Sequence, residues 1–280
     1  MDEQNIDILE RIHASYFQLT ATERKVADYV LAQPEQVKFM SITQLADECG
    51  TADATISRFC RSLKLKGFNA FKIELARHSA APRQTTHDED TLPGRIQASG
   101  REAVDAVQQT VSLIDPGQVE AAVELIEQAG KVVCIGSGGS MLLATTFAHL
   151  FSTVSGKFTA VADSHSQMSS VAIMEKTDIV VLFSYSGATN TGLQILELAK
   201  QRGIKTILIT RFSKSPAAKL ADVVLRCGSN EGPFQFGSVP AKIAQLVVMD
   251  AVFQEFCVRN REQCDAHIDH IAAALSGMHV

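Results

Sequence analysis

Three hydroxyl side chains lie close together in the chain, directly after a short apolar run. Ser184, Ser186 and Thr189 follow the run DIVVLF and precede a segment with helical periodicity. Hydroxyls at these positions converge with the exposed N–H groups of a helix N-terminus, and together they offer many donors to a dianionic phosphate. Gly187 permits close approach of the backbone to such a ligand. The segment predicts a phosphomonoester site, although a Ser/Thr-capped helix without a ligand would use the same residue types.

A second loop rich in glycine and serine follows the run KVVCI and contains Ser137, Gly138 and Ser140. As a dinucleotide fingerprint it would need a third glycine at position 141, where the chain has Met141, while Asp163 could still bind a ribose. Dinucleotide binding is therefore a weakly supported alternative. We predict no cofactor.

Two further residues could touch a ligand, and the sequence leaves both roles open. Glu231 either hydrogen-bonds sugar hydroxyls or is a solvated loop acid, and His165 is either a ligand contact or a surface or capping histidine. An aldose–ketose isomerase would need such groups as its base and acid. No second carboxylate or histidine accompanies the hydroxyl-rich loop, so we expect a binding protein and keep a phosphosugar isomerase as the alternative.

Positive charge is concentrated between Arg58 and Arg77, in a chain whose net charge is −5. The segment 41–63 reads as a helix, a short turn at Gly50 and a second helix, which is the arrangement that inserts a recognition helix into the DNA major groove. A three-helix bundle with a solvated basic surface is the alternative. Residues expected to contact base edges or phosphates are Thr51, Asp53, Thr55, Ser57, Arg58, Arg61, Lys64 and Lys66.

The elements that position these residues belong to two predicted domains. Helical periodicity covers residues 1–78, a polar segment at 79–93 predicts a linker, and residues 94–280 alternate apolar runs with helical segments. Such alternation is typical of a doubly wound α/β fold with a parallel sheet, in which ligands bind at the carboxyl ends of the strands. The five predicted strands are 131–135, 158–162, 178–183, 205–209 and 222–226.

Both domains resemble one known family. Residues 21–75, which include TISRFCRSLKLKGFNAFK, resemble the N-terminal helix-turn-helix of the RpiR family of bacterial regulators. Residues 131–258, with the pattern Ser-x-Ser-Gly-x-Thr at 184–189, resemble the SIS (sugar isomerase) domain, which has a flavodoxin-like fold. The resemblance implies a transcription regulator of carbohydrate metabolism that binds a DNA operator and a sugar phosphate. It implies ligand contacts by Ser137, Ser184, Ser186 and Thr189.

Composition sets the remaining expectations. The N-terminus is too polar for a secretory signal and no apolar run has the length of a membrane span, which predicts a cytoplasmic protein without a membrane partner. The six cysteines form no C-x-x-C pair and predict buried thiols rather than a metal site. We expect a dimer or tetramer, because a helix-turn-helix reads paired half-sites. An assembly module without a ligand is a third possibility, but it would leave the hydroxyl-rich loop without a purpose.

Overall fold

The structure is a computed structural model that describes residues 7–78, 91–229 and 238–276. The chain forms two compact units, and the division falls within one helix, between Glu102 and Ala103. In the described ranges, no helix has the length and apolar character needed to cross a membrane. The predicted limits of the domains and of the 79–93 linker stay predictions.

The first unit is helical, as predicted. Its buried core includes Ile12, Val26, Leu45 and Phe59, all fully shielded from solvent. Local sequence sets the helix starts: Thr20 and Glu23 form a capping box, as Ser41 and Gln44 do two helices later. The helices are α1 (Ile8–Ser15), α2 (Ala21–Ala32), α3 (Pro34–Val37), α4 (Ile42–Glu48), α5 (Asp53–Ser62) and α6 (Phe68–His78).

The second unit contains a five-stranded parallel sheet in the order β2-β1-β3-β4-β5, which confirms the predicted doubly wound α/β fold. Its strands are β1 (Val132–Gly136), β2 (Phe158–Ala160), β3 (Ile179–Phe183), β4 (Lys205–Thr210) and β5 (Val223–Arg226). The helices are α7 (Leu92–Leu113), in which the two units divide, α8 (Pro116–Gln128), α9 (Gly139–Ser152), α10 (Ser164–Ala172), α11 (Asn190–Arg202), α12 (Val239–Arg259) and α13 (Arg261–Leu275).

Helices cover both faces of the sheet, and alternate strand residues point to each face. Cys134 and Val181 pack with α8, α9 and α12, whereas Val133 and Val180 pack with α10 and α11. The helix that follows β1 and the helix that follows β3 therefore lie on opposite faces. Adjacent strands whose connections diverge in this way leave a crevice at their carboxyl ends, which is where such folds bind ligands.

Candidate functional site

The turn between α4 and α5 has the geometry of a helix-turn-helix. Gly50 adopts a left-handed conformation with φ +59°, as predicted from its position at the corner. The backbone N–H of Thr51 donates to the Ala46 carbonyl at 2.8 Å, which fixes the chain as it leaves α4. The Thr43 hydroxyl donates to the Asp53 carboxylate at 3.0 Å, so Asp53 joins the two helices across the turn.

The outer face of α5 is basic and accessible. Ile56, Phe59 and Cys60 are buried in the core of the unit, while Arg58 and Arg61 are exposed. Ser57 is half-buried at the edge of the same face. Lys64 and Lys66, just beyond the helix, are also exposed. This surface can meet base edges through its helix and phosphates through its flanking lysines.

Two residues predicted to contact DNA have hydroxyls that are shielded from solvent. Thr55 is only 5% exposed, since it lies one turn before Phe59 on the core side of α5, and its hydroxyl accepts a hydrogen bond from Arg58 at 3.1 Å. The Thr51 hydroxyl is also shielded from solvent, and it has no hydrogen-bond partner among the described residues. Contact of Thr51 and Thr55 with DNA stays a prediction.

Sequence reasoning missed one residue that anchors α5. The buried Glu23 of α2 accepts hydrogen bonds from the Thr20 hydroxyl at 2.6 Å and from the Ser62 hydroxyl, at the end of α5, at 2.9 Å. Burial by itself raises the pKa of the Glu23 carboxyl. The hydrogen bonds from Thr20 and Ser62 and the charge of Arg58 outweigh burial, so this pKa lies below its ordinary value of 4.5. The capping-box pattern of Thr20 and Glu23 was the sequence feature that could have identified Glu23.

The lowered pKa of Glu23 predicts acid sensitivity of the helical unit. Its contribution to stability is complete above pH 4.5 and disappears as the pH falls through the lower folded-state pKa. We expect Glu23→Gln to reduce the local free energy of unfolding by about 1 kcal/mol at pH 7 and to weaken its dependence on acid pH. Hydrogen exchange of α2 and α5 in the full chain, corrected for intrinsic rates, measures this. Glu10→Gln, at an exposed acid of α1, is the control; equal protection in both variants would contradict the prediction.

The hydroxyl-rich loop lies at the carboxyl end of β3, as predicted. The Ser184 N–H donates to the Ile209 carbonyl at 3.1 Å, which extends the pairing of β3 with β4 into the loop. The Ser184 and Thr189 hydroxyl oxygens lie 3.3 Å apart. Thr189 occupies the N-cap position of α11, yet its side chain makes no capping hydrogen bond there. The first N–H groups of a helix have no acceptor within the helix, so this end of α11 suits an anion.

Tight packing fixes the middle of this loop. Gly187 has φ +60°, and a Cβ at this position would lie 2.1 Å from the hydroxyl oxygen of the fully buried Ser215. The Gly187 carbonyl accepts a hydrogen bond from the Ala217 N–H at 2.9 Å. The half-buried Ser186 accepts one from the Ala188 N–H at 3.3 Å. Glycine is therefore required here by both its conformation and its neighbour.

The glycine loop after β1 forms a tight turn into α9. Gly138 takes φ +56° at the N-cap, and the Ser140 N–H donates to the Ser137 carbonyl at 3.2 Å. A Cβ on Gly136 would lie 2.7 Å from the Ser140 carbonyl carbon, so the strand end and the helix start nearly touch. Ser137 and Gly138 are exposed and Ser140 is half-buried. Because β1 and β3 are neighbours in register, this loop and the hydroxyl-rich loop follow adjacent strands at the same edge.

A network that the sequence did not predict connects the hydroxyl-rich loop with α7. The Tyr185 hydroxyl donates to the Ser229 carbonyl at 2.8 Å, and the Arg211 Nε donates to the same oxygen at 2.9 Å. The Ser229 N–H donates to the Gln109 side chain on α7 at 3.2 Å. Ser229 is buried and has φ +80°, a conformation that costs energy for a residue other than glycine. Contacts from three elements hold it there.

The remaining candidate residues from the sequence are His165, Asp163 and Glu231. His165 is exposed in the first turn of α10. Asp163 caps that helix by accepting a hydrogen bond from the Ser166 N–H at 2.9 Å, and this bond lowers the pKa of Asp163. Glu231 lies outside the described residues. In the described part of the chain, no group of three or more His, Cys, Asp or Glu side chains is placed to hold a metal ion.

Comparison with known proteins assigns both domains. A model for the helix-turn-helix domain of the rpiR family matches residues 6–82, and a model for the SIS domain matches residues 125–254. TTE0211 of Caldanaerobacter subterraneus, described as an uncharacterized HTH-type transcriptional regulator, is 33% identical over 88% of this chain and 89% of its own length. YbbH of Bacillus subtilis, described in the same way, is 31% identical over 96% and 97%.

A solved structure matches both domains together. The Vibrio vulnificus NanR protein complexed with ManNAc-6P is 27% identical, covers 98% of this chain and 100% of its own, and superposes with a TM-score of 0.88. The fold and the matched domains define a transcriptional regulator that joins a DNA-binding helix-turn-helix to a SIS domain. The chain belongs to the RpiR family of HTH-type transcriptional regulators, which confirms the resemblance seen in the sequence.

Proposed function

We propose that this regulator binds a phosphorylated sugar at the carboxyl edge of its sheet and that the ligand controls its affinity for operator DNA. The open N-terminus of α11 is the observation that carries the proposal. Thr189 stands at the capping position without capping the helix, so the first N–H groups of α11 can bind a phosphate, and the Thr189 hydroxyl pairs with that of Ser184 at the same edge. A Ser/Thr-capped helix without a ligand is less well supported, because the Thr189 side chain does not cap α11.

The proposed phosphate contacts are Ser184, Ser186 and Thr189, with Gly187 allowing close approach of the backbone. Ser137, Gly138 and Ser140 contribute the opposite side of the pocket, next to the sugar. The likeness to NanR, whose structure contains ManNAc-6P, supports a phosphosugar as the ligand class. Glu231 remains a candidate for contact with sugar hydroxyls.

A role in regulation is better supported than catalysis. Isomerisation would require a positioned base and acid, and neither the loop 136–140 nor the loop 184–190 contains a carboxylate or a histidine. The exposed His165 belongs to a different loop. The relatives named as transcriptional regulators point in the same direction.

The ligand signal would leave the pocket through Tyr185. A phosphate that reorients the loop changes the hydrogen bond from Tyr185 to Ser229, and Ser229 is bonded in turn to Gln109 on α7. Helix α7 begins at Leu92, at the end of the proposed linker to the helix-turn-helix. By linkage, a ligand that alters DNA affinity is itself bound differently in the DNA complex.

We further propose that the regulator acts as a dimer or tetramer, because paired recognition helices read paired half-sites. From the sequence alone, six apolar residues of α12 could form either a subunit interface or the core: Ile243, Leu246, Val247, Met249, Val252 and Phe253. Met249 and Val252 are buried core residues, whereas Leu246 is 41% exposed and is available to a partner subunit. Double-stranded operator DNA is the proposed macromolecular partner.

A thermal-shift screen against sugar phosphates tests the ligand proposal. At a concentration of about 100 Kd, the correct phosphosugar is expected to raise the melting temperature by about 5–10 °C. Ser186→Ala and Ser184→Ala/Ser186→Ala are expected to reduce or abolish this rise, because they remove phosphate donors. Ser152→Ala is the matched control, since its hydroxyl donates to its own helix at the other end of α9. An equal rise in all four proteins would reject the site.

A further inference from the structure

A buried glutamine bridges the carboxyl ends of β1 and β2. Gln167 lies on α10 and is 2% exposed. Its Nε2 donates to the Gly136 carbonyl at 2.9 Å and to the Val161 carbonyl at 2.8 Å. The same nitrogen lies 3.6 Å from the Met141 sulfur at the start of α9. One side chain thus contacts the end of both strands and the helix that follows the first.

The two carbonyls lie where the backbone pairing between β1 and β2 ends. The last backbone bond joins the Val161 N–H to the Cys134 carbonyl at 3.1 Å, and beyond it the strands lead into different loops. A buried carbonyl without a partner costs about 1–3 kcal/mol. The amide nitrogen of Gln167 has two N–H donors, and it also lies 3.4 Å from the Ala162 carbonyl, so both donors have acceptors at this end of the sheet. The side chain therefore continues the ladder after the strands separate.

This contact controls the position of the glycine loop. The backbone of Gly136 lies close to that of Ser140, since a Cβ on Gly136 would be 2.7 Å from the Ser140 carbonyl group. The amide of Gln167 holds the Gly136 carbonyl and so fixes the whole turn to Ser140. The hydroxyl-rich loop is held separately, by the bond from the Ser184 N–H to Ile209 and by the packing of Gly187 on Ser215.

We propose that Gln167 is a positioning residue. It fixes the position of the glycine loop relative to the hydroxyl-rich loop and thereby determines which sugar the ligand site accepts. The inference rests on the proposed phosphosugar site and deepens it. It separates two functions within one pocket: the loop 184–189 binds the phosphate, and the loop 136–140, placed by Gln167, discriminates between sugars.

The test compares Gln167→Met and Gln167→Glu with Ser169→Ala, which alters an exposed residue on the same helix. Methionine keeps the length but donates no hydrogen bond, and an ionised glutamate has the same shape with acceptors only. Hydrogen exchange of residues 137–141 reports the loop directly. Binding is measured with inorganic phosphate and with hexose, amino-sugar, N-acetylmannosamine and pentose phosphates.

We expect faster exchange in residues 137–141 of both Gln167 variants, with residues 184–190 unchanged. The best sugar phosphate should bind about tenfold more weakly, while inorganic phosphate binds within about twofold of wild type. Unchanged exchange would overturn the inference, and so would equal losses for phosphate and sugar phosphate, which indicate a merely structural role. If no sugar phosphate binds the wild type, the proposed sensing function fails, and exchange alone then decides whether Gln167 holds the loop.

Discussion

Replacing Arg58 and Arg61 with alanine is expected to lower affinity for the preferred DNA sequence by about a hundredfold or more. Both guanidinium groups are exposed on the outer face of α5, while Ile56 and Phe59 anchor the opposite face in the core. A bidentate contact from arginine to guanine is worth about 1–3 kcal/mol, so two such contacts account for the loss. The loss concerns sequence preference, because a base contact is lost only on the correct site.

The measurement starts from sequences that the wild-type protein selects from a random duplex pool, followed by fluorescence anisotropy at several salt concentrations. Lys64→Ala/Lys66→Ala should instead weaken binding to all sequences and reduce the salt slope by about 1.8, since each lysine neutralises one phosphate. Lys25→Ala, at an exposed lysine of α2, is the control. Wild-type affinity in the double arginine variant would refute the assignment of α5 as the recognition helix.

Elements with a strong local pattern were predictable from the sequence. The β-branched runs at 131–135 and 178–183 correspond to β1 and β3, which are buried along their whole length. Parallel strands covered on both faces require such continuous apolar runs. Gly50 was identified for a related reason, since a left-handed corner between two amphipathic helices strongly favours glycine.

Residue type alone did not predict which side chains of α5 and α12 are exposed. Thr55 was assigned to the DNA face because it is polar, but it lies four residues before Phe59 on the inner side of α5. Its hydroxyl accepts a hydrogen bond from Arg58. Apolar residue type did not predict burial in α12 either, since Met249 is buried and Leu246 is exposed.

Contacts between distant elements had no signal in the sequence. Gln167 reaches the Gly136 carbonyl 31 positions away, and the Tyr185 hydroxyl reaches the Ser229 carbonyl 44 positions away. Every residue has a backbone carbonyl, so the residue type at positions 136 and 229 does not reveal that these carbonyls accept hydrogen bonds from Gln167 and Tyr185. The loop residues that offer hydroxyls to a ligand could be predicted, whereas the residues that place those loops required the fold.

Gly187 and Gly138 lie in the two loops of the proposed ligand site, and they differ in how closely other atoms pack against them. Gly187→Ala is expected to reduce the free energy of unfolding by about 3–5 kcal/mol and to abolish phosphosugar binding. Its φ of +60° costs alanine about 1–2 kcal/mol, and the clash with Ser215 adds several more through overpacking. Gly138→Ala is a comparison variant in which no atom lies within 4 Å of the new Cβ, although its φ of +56° and ψ of −126° differ from the left-handed helical conformation.

Urea unfolding of the full chain, followed by hydrogen exchange in β3 and α11, measures the difference between the two variants. Gly187→Ala/Ser215→Gly provides the decisive comparison, because removing the Ser215 side chain eliminates both atoms that lie closest to the new methyl group. The double variant should regain the stability lost to the clash, beyond the cost of the glycine at 215, and retain only the conformational strain. If Ser215→Gly restores no stability to Gly187→Ala, then Ser215 already yields to the methyl group, and the hydroxyl-rich loop is held less firmly than its contacts with Ser215 and Ala217 indicate.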